Sequence, residues 1–304
     1  MADEFNLYPL HVFRVIARLG SVTRAAQELF ISQPAVSAHL RSLEQHYGEP
    51  LFERTPRGML LTPAGTAFSE QVNRLFAIYD DLPSTVDAVR GRVRGEVVVA
   101  ASSTPGAYLV PELLRRFQKK YPDARPTLTV GDSAQVLEWL RQYRVPLGVV
   151  GETSVGMDEE LHRLEVGADE LRLVAAAADS LGRVRQIKGE HLRRRTLFIR
   201  EPGSSTRAAA EALLGDLLSA AGRVVEIRST DVIKQSVIAG LGVAVLSSWA
   251  TRLEERACLL RPIRDTRLRR RRKFYLVRRE DRDLTASAAA LWDCLAAGKP
   301  AAHL

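Results

Sequence analysis

Ile31-Ser-Gln-Pro-Ala-Val-Ser-Ala-His-Leu-Arg-Ser-Leu-Glu-Gln-His-Tyr47 is the stretch on which the reading of this chain turns. Val36, Leu40, Leu43 and Tyr47 recur at helical spacing and suit a core, whereas Gln33, Ser37 and Arg41 recur four apart on another face. Ser32 suits the N-cap, where its hydroxyl accepts from a free first-turn amide, and Pro34 lacks an amide where none is needed. Reading base edges in a major groove takes an exposed face of amides, hydroxyls and a guanidinium. A surface helix of any small domain looks the same, so the stretch alone leaves both readings open.

The flanking residues narrow the choice. Leu10, Phe13 and Ala17 mark a first helix that Gly20 ends, and Ser21 caps a second, Val22 to Leu29, whose small pair Ala25-Ala26 lets helices cross closely. Only Phe30-Ile31-Ser32 separates it from the third helix, which is helix-turn-helix spacing. After Gly48, Pro56 and Gly58 turn a short hairpin with Arg57 at its tip and Arg54 at its base, a wing able to touch phosphate.

The first 65 residues resemble the winged helix-turn-helix of LysR-type transcriptional regulators. The resemblance rests on Leu10 and Phe13, Ser21-Val-Thr-Arg-Ala-Ala26, Ser32-Gln-Pro-Ala-Val-Ser37, Leu43-Glu44, Leu51-Phe52 with Arg54, and Leu61-Thr-Pro-Ala-Gly65. It implies Gln33 and Pro34 at bases, Ser32, Ser37 and Arg41 near the groove, and Thr23, Arg54 and Arg57 towards the DNA backbone. Ala38 and His39 depart from a family pattern that often has Arg directly after the Ser.

From Pro63 the pattern lengthens. Phe68, Val72, Leu75, Tyr79, Leu82, Val86 and Val89 form a heptad seam, and directly after a winged domain this predicts a dimerising linker helix over 63–90. Pro83 removes one backbone bond inside it, predicting a kink or break between Asp81 and Ser84. Beyond the glycine-bounded hinge Gly91 to Gly95, strands and helices alternate: strands at 96–101, 127–130, 147–150, 161–166, 171–176, 196–199, 224–227, 243–246 and 274–277, and helices at 108–120, 134–143, 206–221, 232–239 and 286–295. The fold class expected is thus α/β: a winged helix-turn-helix over 1–62, the linker helix, and a two-lobed effector domain over 91–304. Its lobes fall at about 95–160 with 270–300, and at about 161–269. This arrangement resembles the effector domain of the same family, itself similar to periplasmic binding proteins.

Ligands in open α/β sheets bind beyond the carboxyl ends of strands. Ser102, Ser103 and Thr104 follow the first strand there, and Gly203, Ser204, Ser205 and Thr206, within Arg200 to Arg207, repeat the arrangement in the second lobe. Each cluster alone suits an N-cap, but two at corresponding places favour a cleft for a small anion. Gly151, Glu152, Thr153 and Thr230 complete the rim, with Glu152 facing either an amine or hydroxyl on the ligand or plain solvent.

Composition bounds the rest. The 304 residues suit two domains, and 46% apolar residues are ample for real cores. The net charge of +8 does not lie in the winged domain, where Arg14, Arg18, Arg24, Arg41, Arg54 and Arg57 balance Asp3, Glu4, Glu28, Glu44, Glu49 and Glu53. It lies between Arg261 and Lys273, where eight basic residues face Asp265 alone. The run Arg269 to Lys273 reads first as a solvated loop or a charged edge strand, and second as an extra nucleic-acid contact. Cys258 and Cys294 have no CxxC or His partner and read as buried thiols. Gly240-Leu-Gly242 lacks a third glycine and precedes its strand, and no HExxH, GxSxG or P-loop is present, so catalysis and metal binding are not expected.

The expectation is a cytoplasmic DNA-binding transcription regulator without cofactor, whose effector has no identity in the sequence. Its partners are double-stranded promoter DNA and a second copy through the linker helix, with no membrane; RNA polymerase stays open, and the resemblance implies a tetramer. A metabolite-sensing module with a non-specific or architectural DNA contact is the alternative.

Overall fold

The computed structural model describes residues 6–56, 58–152 and 160–297. They form two compact units, one of residues up to Pro83 together with Arg141–Arg144, the other of Ser84–Leu140 and the residues from Val145 on. In the first, α1 (Tyr8–Leu19), α2 (Val22–Leu29) and α3 (Gln33–Tyr47) precede the hairpin of β1 (Phe52–Thr55) and β2 (Gly58–Leu61), then α4 (Pro63–Val89). Local chemistry sets these boundaries. Gly20 ends α1 in the left-handed conformation (φ 61°), the Ser21 hydroxyl accepts from the Arg24 amide, and the Ser32 hydroxyl accepts from the Ala35 amide.

Phe13 sits at the centre of the core, its ring 5.1 Å from both Phe52 and Phe68, with Ile16, Val36, Leu40 and Leu43 buried around it. Tyr47, expected in that core, is 51% exposed and rests its ring edge-on against Phe68 at 4.8 Å. Glu44 joins α3 to the wing, because its carboxylate accepts from the amides of Leu51 (2.9 Å) and Phe52 (3.3 Å).

The break expected at Pro83 is absent: α4 runs unbroken from Pro63 to Val89. The amide lost at Pro83 frees one carbonyl of the preceding turn, and this part of the helix is exposed enough for water to satisfy it. The heptad seam divides in two. Phe68, Val72 and Leu75 pack on the winged unit, whereas Tyr79, Leu82, Val86 and Val89 are exposed.

The second unit is built on β3 (Gly95–Ser102), α5 (Ser103–Tyr108), α6 (Val110–Lys120), β4 (Ala124–Gly131), α7 (Ser133–Arg141), β5 (Leu147–Gly151), β6 (Leu161–Ala176), α8 (Gly189–Leu192), β7 (Thr196–Ile199), α9 (Ser205–Leu214), α10 (Asp216–Ser219), β8 (Arg223–Glu226), α11 (Thr230–Ile238), β9 (Val243–Ser247), α12 (Ser248–Arg256), β10 (Leu260–Pro262), β11 (Arg269–Arg279) and α13 (Ala286–Ala297). The strands run in the order β4-β3-β5-β11-β6-β9-β7-β8, with β10 also on β6. Parallel strands β4, β3 and β5 form one lobe and β9, β7 and β8 the other, joined by the antiparallel pair β6 and β11.

Where two strands were expected between Leu161 and Ala176, β6 is continuous. Its polar middle, Gly167 to Glu170, is paired with Phe274 to Arg271 of β11. The basic run Arg269 to Lys273 therefore belongs to β11; alternation exposes Arg271 and Lys273 but buries Arg272 (2% exposed) between them. The cysteines also differ from expectation: Cys258 is exposed and Cys294 half-buried. At Gly242, just before β9, a Cβ would stand 2.2 Å from the Thr196 carbonyl oxygen, so the approach to β7 leaves no room for a side chain. Among the described residues no helix is long and apolar enough to cross a membrane.

Asp265 staples the second lobe. Its buried carboxylate accepts from the amides of Ile187 (2.8 Å) and Arg267 (3.1 Å) and from the Arg267 guanidinium (2.7 and 2.9 Å). The Arg267 guanidinium, with these amides, holds the carboxyl down from 3.8 to about 2. A depressed carboxyl stabilises the fold above its unfolded value and stops doing so as pH falls through its folded value. Urea midpoints followed from pH 5 to pH 2 should therefore fall less steeply for Asp265→Asn than for the parent between about pH 4 and pH 2; parallel acid limbs would refute the staple.

Candidate functional site

Two surfaces carry the residues singled out from sequence. On the first unit, Gln33, Pro34 and Arg41 of α3 are exposed, Ser37 is half-buried, and the Thr23 hydroxyl of α2 lies 3.4 Å from the Gln33 amide oxygen. Both helices thus contribute to one polar face. Ser32 is exposed, but its hydroxyl oxygen is engaged by the Ala35 amide. Arg54 projects from β1 and, like Arg41, makes no ion pair among the described residues; Arg57 lies outside them. His39 packs edge-on against the Tyr8 ring at 5.1 Å, and Ala38 is exposed without a charge to offer.

On the second unit, hydroxyls from both lobes meet at one seam, held there by two arginines. Arg272, at the middle of β11, donates through Nη1 to Thr206 (2.9 Å) and Ser205 (3.3 Å) of α9 and through Nη2 to Thr104 (3.2 Å) of α5. Asp169, its cross-strand neighbour on β6, accepts from Nε (2.8 Å) and Nη2 (3.2 Å). Arg200, following β7, donates from Nη1 to Thr230 (2.9 Å) and from Nη2 to Ser103 (3.0 Å), while Glu201 accepts from Nε and Nη2, both at 2.7 Å. Four of these groups, Arg272, Asp169, Arg200 and Glu201, are buried, and each charge is matched by a bidentate partner, as desolvated ions require.

The seam encloses a cavity of about 10 Å³ lined by Ser102, Ser103, Thr104, Asp132, Ser133, Arg200, Ser204, Ser205 and Thr206. That is room for about one water. Ser133 is 1% exposed, and its hydroxyl has no hydrogen-bond partner among the described residues. Leaving it so costs about 1–3 kcal/mol, which a ligand oxygen would recover.

The remaining rim residues have structural tasks. Gly151 donates its amide to the Ser102 hydroxyl (3.2 Å), and a Cβ there would lie 2.3 Å from Ser205 Oγ, so the glycine admits the second lobe's hydroxyl. Gly203 has φ 88°, and its carbonyl accepts from the Ala134 amide (3.2 Å) across the seam. Glu152 is exposed and its carboxylate accepts from the Lys273 amide (3.1 Å), which binds it to the strand edge rather than to the cavity. Thr153 lies outside the described residues.

A family model for the LysR substrate binding domain matches residues 90–299, and one for the bacterial regulatory helix-turn-helix protein, lysR family, matches residues 7–66. The chain belongs to the LysR family. It is 34% identical over 286 residues to the HTH-type transcriptional regulator CbbR of Rhodospirillum rubrum, covering 94% of each chain. It is also 34% identical over 250 residues to the HTH-type transcriptional activator CmpR of Synechocystis sp., covering 82% of this chain and 81% of that one. Among solved structures, the Synechocystis PCC6803 CcmR regulatory domain in complex with 2-PG matches with a TM-score of 0.61 at 25% identity, over 68% of this chain and 98% of that one. The chain is a LysR-type transcriptional regulator with an effector-binding domain, not an enzyme.

Sequence reasoning located the hydroxyls and missed the groups that organise them. Arg272 stood within a basic run read as solvated, Asp169 and Ser133 carried no local signal, and Arg200 and Glu201 belonged to a quoted stretch without being chosen. The alternation of β11 was the signal available for Arg272, since two residues on is Phe274, a core residue. Removing one partner of a buried ion pair costs more than replacing both. Arg272→Met alone should lower unfolding stability by about 3–5 kcal/mol, and adding Asp169→Leu should restore much of it; additive losses in urea titration would contradict this coupling.

Proposed function

We propose that this LysR-type regulator reads duplex promoter DNA through Gln33, Pro34, Ser37 and Arg41, with Thr23, Arg54 and Arg57 against the backbone, and that a small anionic effector binds at the seam between the lobes of its effector domain. The observation that carries the effector reading is the meeting of two buried arginines with hydroxyls of both lobes. Guanidinium and hydroxyl donors gathered around a small cavity suit an oxyanion. The CcmR regulatory domain's complex with 2-PG supports a small effector in a domain of this kind.

A cavity of about 10 Å³ admits no metabolite, so binding parts the lobes. An effector that prefers the parted state shifts the equilibrium towards it, and dimers paired through the exposed apolar half of α4 carry the change to the DNA. Assembly into a tetramer of two dimers, a cytoplasmic location and inverted half-sites about one helical turn apart complete the reading.

Gel retardation by the chain's own upstream region tests the DNA half. Sequence-selective shifts are expected, with Gln33→Ala losing about 1–3 kcal/mol of discrimination at one or two base positions. Equal, salt-sensitive retardation of every duplex would replace specific regulation by an architectural contact.

A further inference from the structure

Unpaired positive charge gathers on one side of the second lobe. In the connection between β6 and β7, Arg183, Arg185, Lys188, Arg193 and Arg194 are exposed, and none of them makes an ion pair among the described residues. Two other segments are tied to this connection. The Arg267 guanidinium donates to the Ile187 carbonyl (3.4 Å) while Asp265 accepts from the Ile187 amide (2.8 Å), which brings the segment carrying exposed Arg264 to Lys188. The Gly222 amide donates to the Leu192 carbonyl (3.0 Å) and the Arg223 amide to the Arg195 carbonyl (3.3 Å), which brings exposed Arg223 to Arg193 and Arg194. At Gly182 a Cβ would stand 2.2 Å from Arg261 Cδ, so a further arginine side chain lies across the start of the connection.

The nearby carboxylates are largely spent. Asp179 is held by Arg195, and Asp265 by Arg267 and two amides, which leaves Glu190 on α8 and Asp216 on α10 to face the cations. Like charges left unpaired repel one another, and a polyanion that bridges several of them relieves the repulsion. All of the exposed unpaired cations except Lys188 are arginines, whose planar forks match two oxygens of a phosphate at once. The winged unit supplies no such field, because its arginines are balanced by its acids. Yet attraction to phosphates provides essentially all of the sequence-independent affinity of a protein for DNA.

We propose that this face of the second lobe grips the phosphate backbone of duplex DNA beyond the sequence read by the winged unit. The two tasks of binding are then divided. Side chains of α3 discriminate from a neutral unit, and the second lobe adds affinity without discrimination. The inference rests on the chain's binding of duplex DNA and is independent of the effector site.

Fluorescence anisotropy of the full chain tests this on three duplexes titrated with potassium chloride: a long one from its own upstream region, a scrambled one of equal length, and the upstream duplex trimmed to the shortest length still bound selectively. Arg183→Ala, Arg185→Ala, Arg193→Ala and Arg194→Ala combined should lower the slope of log affinity against log salt on the long duplex by about 3, since each phosphate contact contributes about 0.9. Affinity for both long duplexes should fall about tenfold or more, with their ratio kept within about twofold. On the trimmed duplex variant and parent should agree within about twofold, and lysine at the same four positions should keep the parent's slope. An unchanged slope, a fall confined to the upstream sequence, an equal fall on the trimmed duplex, or a slope lost equally by the lysine variant would overturn the proposal and leave the winged unit's DNA binding standing. A parent chain that binds none of the three would overturn DNA binding with it.

Discussion

The Arg272–Asp169 pair is the constraint on which the effector domain depends. It joins neighbouring residues of β6 and β11, the strands that pass between the lobes, at the level where hydroxyls from both lobes converge. Two charges can be this deeply buried only if each satisfies the other and the remaining guanidinium hydrogens find oxygens. Thr104, Ser205 and Thr206 supply them. The pair thus determines where α5 and α9 must stand, and with them the cavity between them.

Arg200 repeats the scheme with a different origin. Its carboxylate is the next residue in the chain, so no strand register fixes the pair, and it lies on the second lobe alone. One arginine is anchored in the connection between lobes, the other in the second lobe.

Legibility in the sequence followed the range of the interaction. Ser21, Ser32 and Gly20 act on residues within four positions, so the helix-turn-helix could be read from its own caps. The alternating second unit was readable in outline, because each strand's apolar run is local, although β6 was divided in two and α12 was not marked. Tyr47 was misplaced because helical spacing does not say how wide a core is, and Phe68, 21 residues on, meets it at the surface. Pro83 was expected to kink or break a helix that in fact continues, since exposure lets water take the lost bond's place. The organising groups of the seam were the hardest to see: Asp169 lies 103 positions from Arg272, and Thr104 168 positions from it. No local pattern spans such separations.

The basic run on β11 has a consequence for how this chain tolerates genetic change. Only the arginine two places before Phe274 faces inward, yet its three predecessors are arginines as well. Loss of one codon from the tract leaves Arg-Arg-Arg-Lys before Phe274, and an arginine still faces Asp169. Repetition that resembles surplus surface charge therefore keeps an arginine opposite Asp169 when the tract is shortened by one residue.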